Sequence, residues 1–205
     1  SQTASDVFIF PSFSRSVLFV WYRNYLLFRQ TIFSSTFWVL LEPVIYLLAF
    51  GYGLGSHIKS VNGLSYMAFL APAIIAMSGM VATFYEATYS AFDKFFVRNN
   101  FKLLYLSPIS SQEIILGEIL WAATKGMIAA LLVSIVGLFL GVLSWHTMLP
   151  VILVLLLNCW QFAALGMLLT AFAKRTHLFT VVQTCFILPM YLLSDTFFPV
   201  NSMPL

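Results

Sequence analysis

Apolar residues run in long unbroken blocks along this chain, and polar residues collect in the short gaps between them. A helix needs about 20 apolar residues to cross ~30 Å of hydrocarbon. Five blocks qualify, at about 31–53, 66–91, 114–143, 148–172 and 178–198. The blocks are continuous rather than alternating, so they predict helices and not barrel strands. Only those two architectures satisfy every backbone polar group in lipid.

The first thirty residues have a different pattern. On a helical wheel Val17, Leu18, Trp21, Tyr25 and Phe28 form one apolar stripe. Arg15, Ser16, Arg23, Asn24, Arg29 and Gln30 occupy the other arc. Residues 1–30 are therefore read as a segment carrying an amphipathic interfacial helix, with its start near Pro11, Ser12 or Ser14. Val17, Trp21, Tyr25 and Phe28 are its candidate membrane contacts. Packing against the protein's own bundle is the competing use of the same stripe.

Residues 92–112 form the longest gap with several charges. Lys94, Arg98 and Lys102 recur every four residues, which places them on one helical face. Their neighbours Phe95, Phe96, Val97, Phe101, Leu103 and Leu104 are too apolar for a solvated connector. Such a helix needs a groove in a partner, a membrane surface or its own bundle. Pro108 ends the element. Ser110 to Glu113 then reads as a capping box that starts the third span.

Composition narrows the class. Of 205 residues, 61% are hydrophobic and only 8% charged, and the mean hydropathy is +0.95. Soluble domains carry about 25% charged residues. An ordinary soluble enzyme, a disordered tail and a disulfide-stapled domain are excluded. A net charge of +3 without a polar basic domain gives no reason to expect nucleic acid. Eight Lys/Arg fall in gaps on one side of the spans and Lys59 alone on the other. The positive-inside rule puts the N-terminus in the cytoplasm. Five spans then leave Leu205 outside, in a tail that stops abruptly at Met203-Pro204-Leu205, and the chain is expected to continue beyond it.

Charges inside the spans are the candidate chemistry. Glu42 precedes Pro43 within span one, where an acid is costly and faces the bundle interior. A structural hydrogen bond and a place on a transport path both account for it. Glu86 sits near the end of span two, where solvation alone suffices. Lys125 is read as snorkelling or as pairing with Glu118, seven residues earlier on the same face. Gly137 and Gly141 make a G-x-x-x-G pair for close helix packing, and the glycines at 51–55 read as a helix-ending turn. Cys159 and Cys185 lie in apolar runs and read as buried free thiols, with no metal-ligand spacing. No phosphate-binding loop, nucleophile elbow or zinc-protease motif is present. His57, His146 and His177 all fall in or beside gaps.

Several motifs together carry a family resemblance. These are Leu41-Glu42-Pro43-Val44-Ile45-Tyr46-Leu47 with Gly51-Tyr52-Gly53-Leu54-Gly55, and Ser65-Tyr66-Met67-Ala68-Phe69-Leu70-Ala71-Pro72. They also include Ile114 through Lys125, and Phe197-Phe198-Pro199-Val200 with Met203-Pro204. The chain resembles the ABC-2 type transporter permeases, and within them the NodJ-type subgroup named for lipo-oligosaccharide export. The likeness covers nearly all of residues 15–205. It implies an all-α polytopic membrane protein with a type V exporter-like fold: six spans, of which five are visible here, plus the N-terminal interfacial helix. Residues 31–205 would be one transmembrane domain.

The resemblance also implies a role. The chain would be the non-catalytic permease of an ABC exporter in the bacterial inner membrane, moving a glycolipid, lipo-oligosaccharide or polysaccharide-like substrate outward. It would act as a homodimer with two copies of a separate ATPase, which would hold the ATP and Mg; this chain itself would need no cofactor or metal. Segment 92–112 would be the coupling helix, with Asp93, Lys94, Phe95, Arg98, Phe101 and Lys102 toward the ATPase. Charge reversal at Lys94, Arg98 and Lys102 would then uncouple transport and leave the fold intact. Trp38, Glu42, Tyr46, Tyr191 and Asp195 become candidates for the translocation path or dimer interface. The alternatives are a gradient-driven carrier or channel using Glu42, Glu86 and Lys125, and an intramembrane lipid-modifying enzyme using a histidine.

Overall fold

The computed structural model describes residues 15–53, 55, 65–97 and 109–193, with backbone alone at 34, 36, 38, 52, 147 and 193. Its elements are helices. Helix α1 spans Arg15–Gln30. Helix α2 spans Ile32–Leu48 and closes in a wide turn at Ala49–Gly53. Helix α3 spans Tyr66–Val97, with wide turns at Glu86–Ser90 and Asp93–Val97. Helix α4 spans Ser111–Phe139, α5 Met148–Phe172 and α6 His177–Leu192. A short turn, Trp145–Thr147, joins α4 to α5.

The helix starts are written in local chemistry. The Ser65 hydroxyl accepts from the Ala68 amide at 3.3 Å and caps α3. At α4 the capping box forms as the sequence predicts. The Glu113 amide donates to Ser110 Oγ at 3.3 Å, and the Ser110 amide donates to Glu113 Oε2 at 2.8 Å. Helices α3, α4 and α5 are long and apolar enough to span a membrane. Helices α2 and α6 contribute shorter apolar stretches, Val39–Gly51 and His177–Leu192. So three of the five expected spans meet that length, while the remaining two occupy the expected places. The polar triplet Ser34, Ser35 and Thr36 dilutes the first half of α2, and 194–198 lie outside the described residues.

Helix α4 is the hub. It packs against α3, α5, α1 and α2. The main core joins Leu47, Leu70, Ile74, Ile75, Ala130, Val133 and Leu155. Where α3 crosses α4, Gly126 lets the two backbones meet, since a Cβ there would lie 2.7 Å from the Gly79 carbonyl.

The expected packing pair Gly137 and Gly141 does something else. Gly141 has φ +70 and ends α4. The Gly141 amide donates to the Leu138 carbonyl and the Val142 amide to the Gly137 carbonyl, both at 3.0 Å, a Schellman closure. The Gly137 Cβ position faces Leu143 of the returning chain. Gly141→Ala is expected to lower stability by about 1–2 kcal/mol, the cost of a left-handed non-glycine residue. Unfolding curves in detergent check this, and an unchanged midpoint would contradict it. The thiols also divide: Cys159 is buried and Cys185 is exposed on α6.

Candidate functional site: a buried ion network linking three helices

The charged residues inside the bundle converge on one place. Glu86 of α3 is only 6% exposed. Its Oε1 accepts from Lys94 Nζ, Trp121 Nε1 and Ser90 Oγ, each at 3.0 Å. Its Oε2 accepts from Lys125 Nζ at 2.7 Å. Glu118 of α4 is buried as well. Its Oε1 accepts from Arg23 at 2.8 Å and from Asn24 at 2.9 Å, and its Oε2 from Lys94 at 3.0 Å. Lys94 thus bridges both acids, and Arg23 ties α1 into the same network.

Helical register produces this convergence. Glu86, Ser90 and Lys94 are spaced by four on α3, so they stack along one face. Glu118, Trp121 and Lys125, spaced by three and then four, likewise share a face of α4. Three cations surround two carboxylates, and each carboxylate accepts from several donors. Buried carboxylates are tolerated under those conditions. Lys125 also lies 5.7 Å from the Phe28 ring centroid, within cation–π range.

These positions correct four expectations. Lys125 pairs across to Glu86 on α3, not with Glu118 on its own helix. Glu86 is desolvated and saturated by donors, not solvated. Lys94 turns into the bundle, so a charge reversal there would strike two buried acids instead of leaving the fold intact. Asn24 belongs to the polar arc of α1, yet it is 2% exposed because Glu118 receives it.

Helix α1 lies with one side on α4. Val17, Val20, Asn24 and Phe28 are buried. A Cβ at Gly117 would lie 2.6 Å from that of Val20, so the two helices touch closely. Trp21 Nε1 donates to Thr124 Oγ1 at 3.1 Å, and Trp121 meets Trp21 and Phe28 edge-on. Packing on the protein's own bundle therefore claims Val17, Trp21 and Phe28 from the predicted membrane stripe. Tyr25 stays exposed, stacked on Trp21, and the exposed apolar face is Leu18, Phe19, Tyr22, Leu26 and Leu27. Apolar residues cover more than half of this helix's circumference, so the wheel alone could not select the buried side.

Two cavities flank the network. One of about 400 Å³ lies among α1, α2, α3 and α4 and is lined by Asn24, Thr31, Ser35, Asp93, Lys94 and Trp121. Another of about 380 Å³ lies between α2 and α3, lined by Glu42, Pro43, Met77, Tyr85 and Tyr89. Glu86, Ser90 and Lys125 wall both. In segment 92–112 Phe95 lines an apolar cavity with Ile115, Ile119 and Met167. Arg98, Phe101 and Lys102 lie outside the described residues.

Of the proposed path residues, Glu42, Tyr46 and Tyr191 come together. Tyr46 and Glu42 stand one turn apart on α2 within electrostatic reach of each other, and Tyr191 lies within electrostatic reach of both. The Trp38 side chain and all of Asp195 lie outside what is described. Sequence reasoning missed Arg23, Asn24, Glu118 and Trp121 as one site. The signal was present in the four-residue spacing on α3 and the seven-residue spacing of Glu118 and Lys125, but nothing in it named the partner helix.

Comparison with known proteins agrees with the architecture. The family model "ABC-2 type transporter" matches residues 15–205. "Nodulation protein J" of Rhizobium leguminosarum bv. viciae is 37% identical over 194 residues, covering 95% of this chain and 75% of that protein. The protein of the same name from Rhizobium meliloti is 36% identical, covering 90% and 71%. "Inner membrane transport permease YadH" of Escherichia coli is 31% identical, covering 82% and 67%. No solved structure matches the chain. Its polytopic helical bundle and these matches together place it: the chain belongs to the ABC-2 type transporter family and is a multi-pass protein of the inner membrane.

Proposed function

We propose that this chain is the membrane-spanning subunit of an ATP-driven exporter that moves an amphipathic substrate, of the glycolipid, lipo-oligosaccharide or polysaccharide-like class, out of the cytoplasm or inner leaflet. The observation that carries this reading is Lys94. It sits at the end of α3, at the mouth of the coupling segment, and holds acids of α3 and α4 at 3.0 Å each. Glu118 in turn holds Arg23 of α1 at 2.8 Å. A push on segment 92–112 therefore reaches three helices through one set of ion pairs. Packed helices pass such a push on as rigid-body motion rather than as gradual bending. ATP binding in a separate partner would shift the population between inward-accessible and closed states.

In the proposed assembly two copies of this chain meet two ATPase subunits, which hold ATP and Mg. The N-terminus faces the cytoplasm, and Arg98, Phe101 and Lys102 complete the ATPase contact. This chain performs no covalent chemistry.

Purification of the full-length protein from its native membrane in mild detergent, with mass spectrometry of what accompanies it, tests the assembly. A stoichiometric ATPase is the expected result. Its reproducible absence from the folded chain would favour the gradient-driven carrier. Lys94→Met tests the lever. That variant leaves Glu86 with Lys125 and Glu118 with Arg23, so the fold and the ATPase contact should persist. Transport should fall by about 5- to 150-fold, the usual range of a coupling energy. Wild-type transport in Lys94→Met would remove Lys94 from the mechanism.

A further inference from the structure

We infer that the cavity between α2 and α3 is a binding site for the ammonium group of a cationic amphiphile, with Glu42 as its counter-ion. The inference deepens the exporter reading by narrowing the proposed substrate class to members whose headgroup carries an ammonium group, and rests on that reading only for the word substrate.

The argument begins with the charge. Glu42 lies in the apolar stretch Val39–Gly51, and no ion pair reaches it among the described residues. The Tyr46 hydroxyl, one turn along α2, is its described polar neighbour. An ionised carboxylate accepts at about four lone-pair sites, so most of its capacity is open. The other charges lining the cavity, Glu86 and Lys125, are already closed on each other at 2.7 Å. Among the described residues lining the cavity, the charge of Glu42 is thus the one that no cation holds directly. A cation neutralises that charge, and a neutral polyol does not.

The walls suit a cation too. Tyr85 and Tyr89 line the cavity and are stacked, with ring centroids 5.2 Å apart. Their hydroxyl ends are anchored on α6: Gln183 Nε2 donates to the Tyr85 hydroxyl at 2.7 Å, and Tyr89 shares a hydrogen bond with Thr180 at 2.9 Å. Aromatic faces attract quaternary and primary ammonium groups. At about 380 Å³ the cavity holds a headgroup and not a whole lipid. Glu42 itself is exposed, as are Leu41 and Ile45 beside it. The cavity thus opens sideways along an apolar helix face where a tail can lie. A zwitterionic phospholipid would bring its phosphate toward Glu42, so the fitting ligand carries a positive charge alone.

Three diphenylhexatriene probes that share one fluorophore test this on the full-length protein in phosphatidylcholine nanodiscs. They carry a trimethylammonium group, no charged group, or a propionate. Energy transfer from the protein's tryptophans reports binding. The expected result is a saturable component for the cationic probe only. It should vanish in Glu42→Gln, persist in Glu42→Asp and persist when phosphatidylethanolamine is added. Equal saturation by the neutral or anionic probe would overturn the site, as would undiminished binding in Glu42→Gln. Displacement by phosphatidylethanolamine would make it a resident lipid site and overturn the substrate assignment. Blockage of the cavity by a second copy of the chain would appear as no saturable binding in the wild type, which also overturns it. The ATPase co-purification reads the exporter proposal separately: a missing ATPase with intact cation binding would sink export and leave the site standing.

Discussion

Glu86→Gln should destabilise the bundle by about 3–5 kcal/mol, the cost of removing one member of a buried ion pair. The side chain is 6% exposed and accepts from four donors. Gln keeps the shape and one carbonyl oxygen, but it presents an NH₂ to a lysine where an acceptor stood. The two lysines do not suffer equally. Lys94 keeps Glu118 at 3.0 Å, while Lys125 loses its one described acid. Most of the penalty is therefore an uncompensated ammonium inside the bundle. Glu86→Gln combined with Lys125→Met should be less harmful than the sum of the single changes, because the stranded charge goes with its partner. Equilibrium unfolding in detergent, with size exclusion as a check on folding, measures all three. A Glu86→Gln loss below about 1 kcal/mol, the range of an exposed ion pair, would mean the network is solvated after all.

Gly126→Ala should cost about 1–3 kcal/mol, and Gly126→Val more, because the added carbon has nowhere to go. Its ideal position meets the Thr83 hydroxyl oxygen and lies 2.9 Å from Thr83 Cβ and 2.7 Å from the Gly79 carbonyl oxygen. A side chain can rotate away, but the carbonyl belongs to α3 and moves only if the helix does. Thr83→Ala in the Gly126→Ala background should accordingly restore part of the loss and not all of it. The same unfolding measurement decides the matter. Full rescue by Thr83→Ala would show that the backbones have room to part freely.

These two positions show where sequence reading succeeds and stops. The helix bearing Gly126 was predicted with its cap: Ser110 and Glu113 act within a few residues of each other, so their chemistry is local. An apolar run at about 148–172, bounded by polar turns, predicts a helix there, and the helix Met148–Phe172 occupies that place. The sequence pattern points to Gly137 and Gly141, whose spacing fits a packing motif, and not to Gly126. Spacing does not say whether the helix still continues at Gly141, nor which neighbour it meets. Depth along its own helix alone suggests a solvated Glu86. Its donors come from positions 4 to 39 residues away on two helices. Glu118 receives a donor from 95 residues earlier.

The division has one physical cause. In lipid each helix must satisfy its own backbone, so helix existence, approximate ends and membrane class follow from local runs of residues. Composition and the local motifs carried the family in the same way, and the comparisons bear that out. Rotation and register between helices are different quantities. Spans that are apolar on every side present no preferred face, and lipid tails offer little hydrophobic bias between one packing and another. Small residues and a few buried polar groups then choose the arrangement. Which cation holds which acid, which side of α1 rests on α4, and why Glu42 is left facing a cavity are consequences of that choice, and only the tertiary structure decided them.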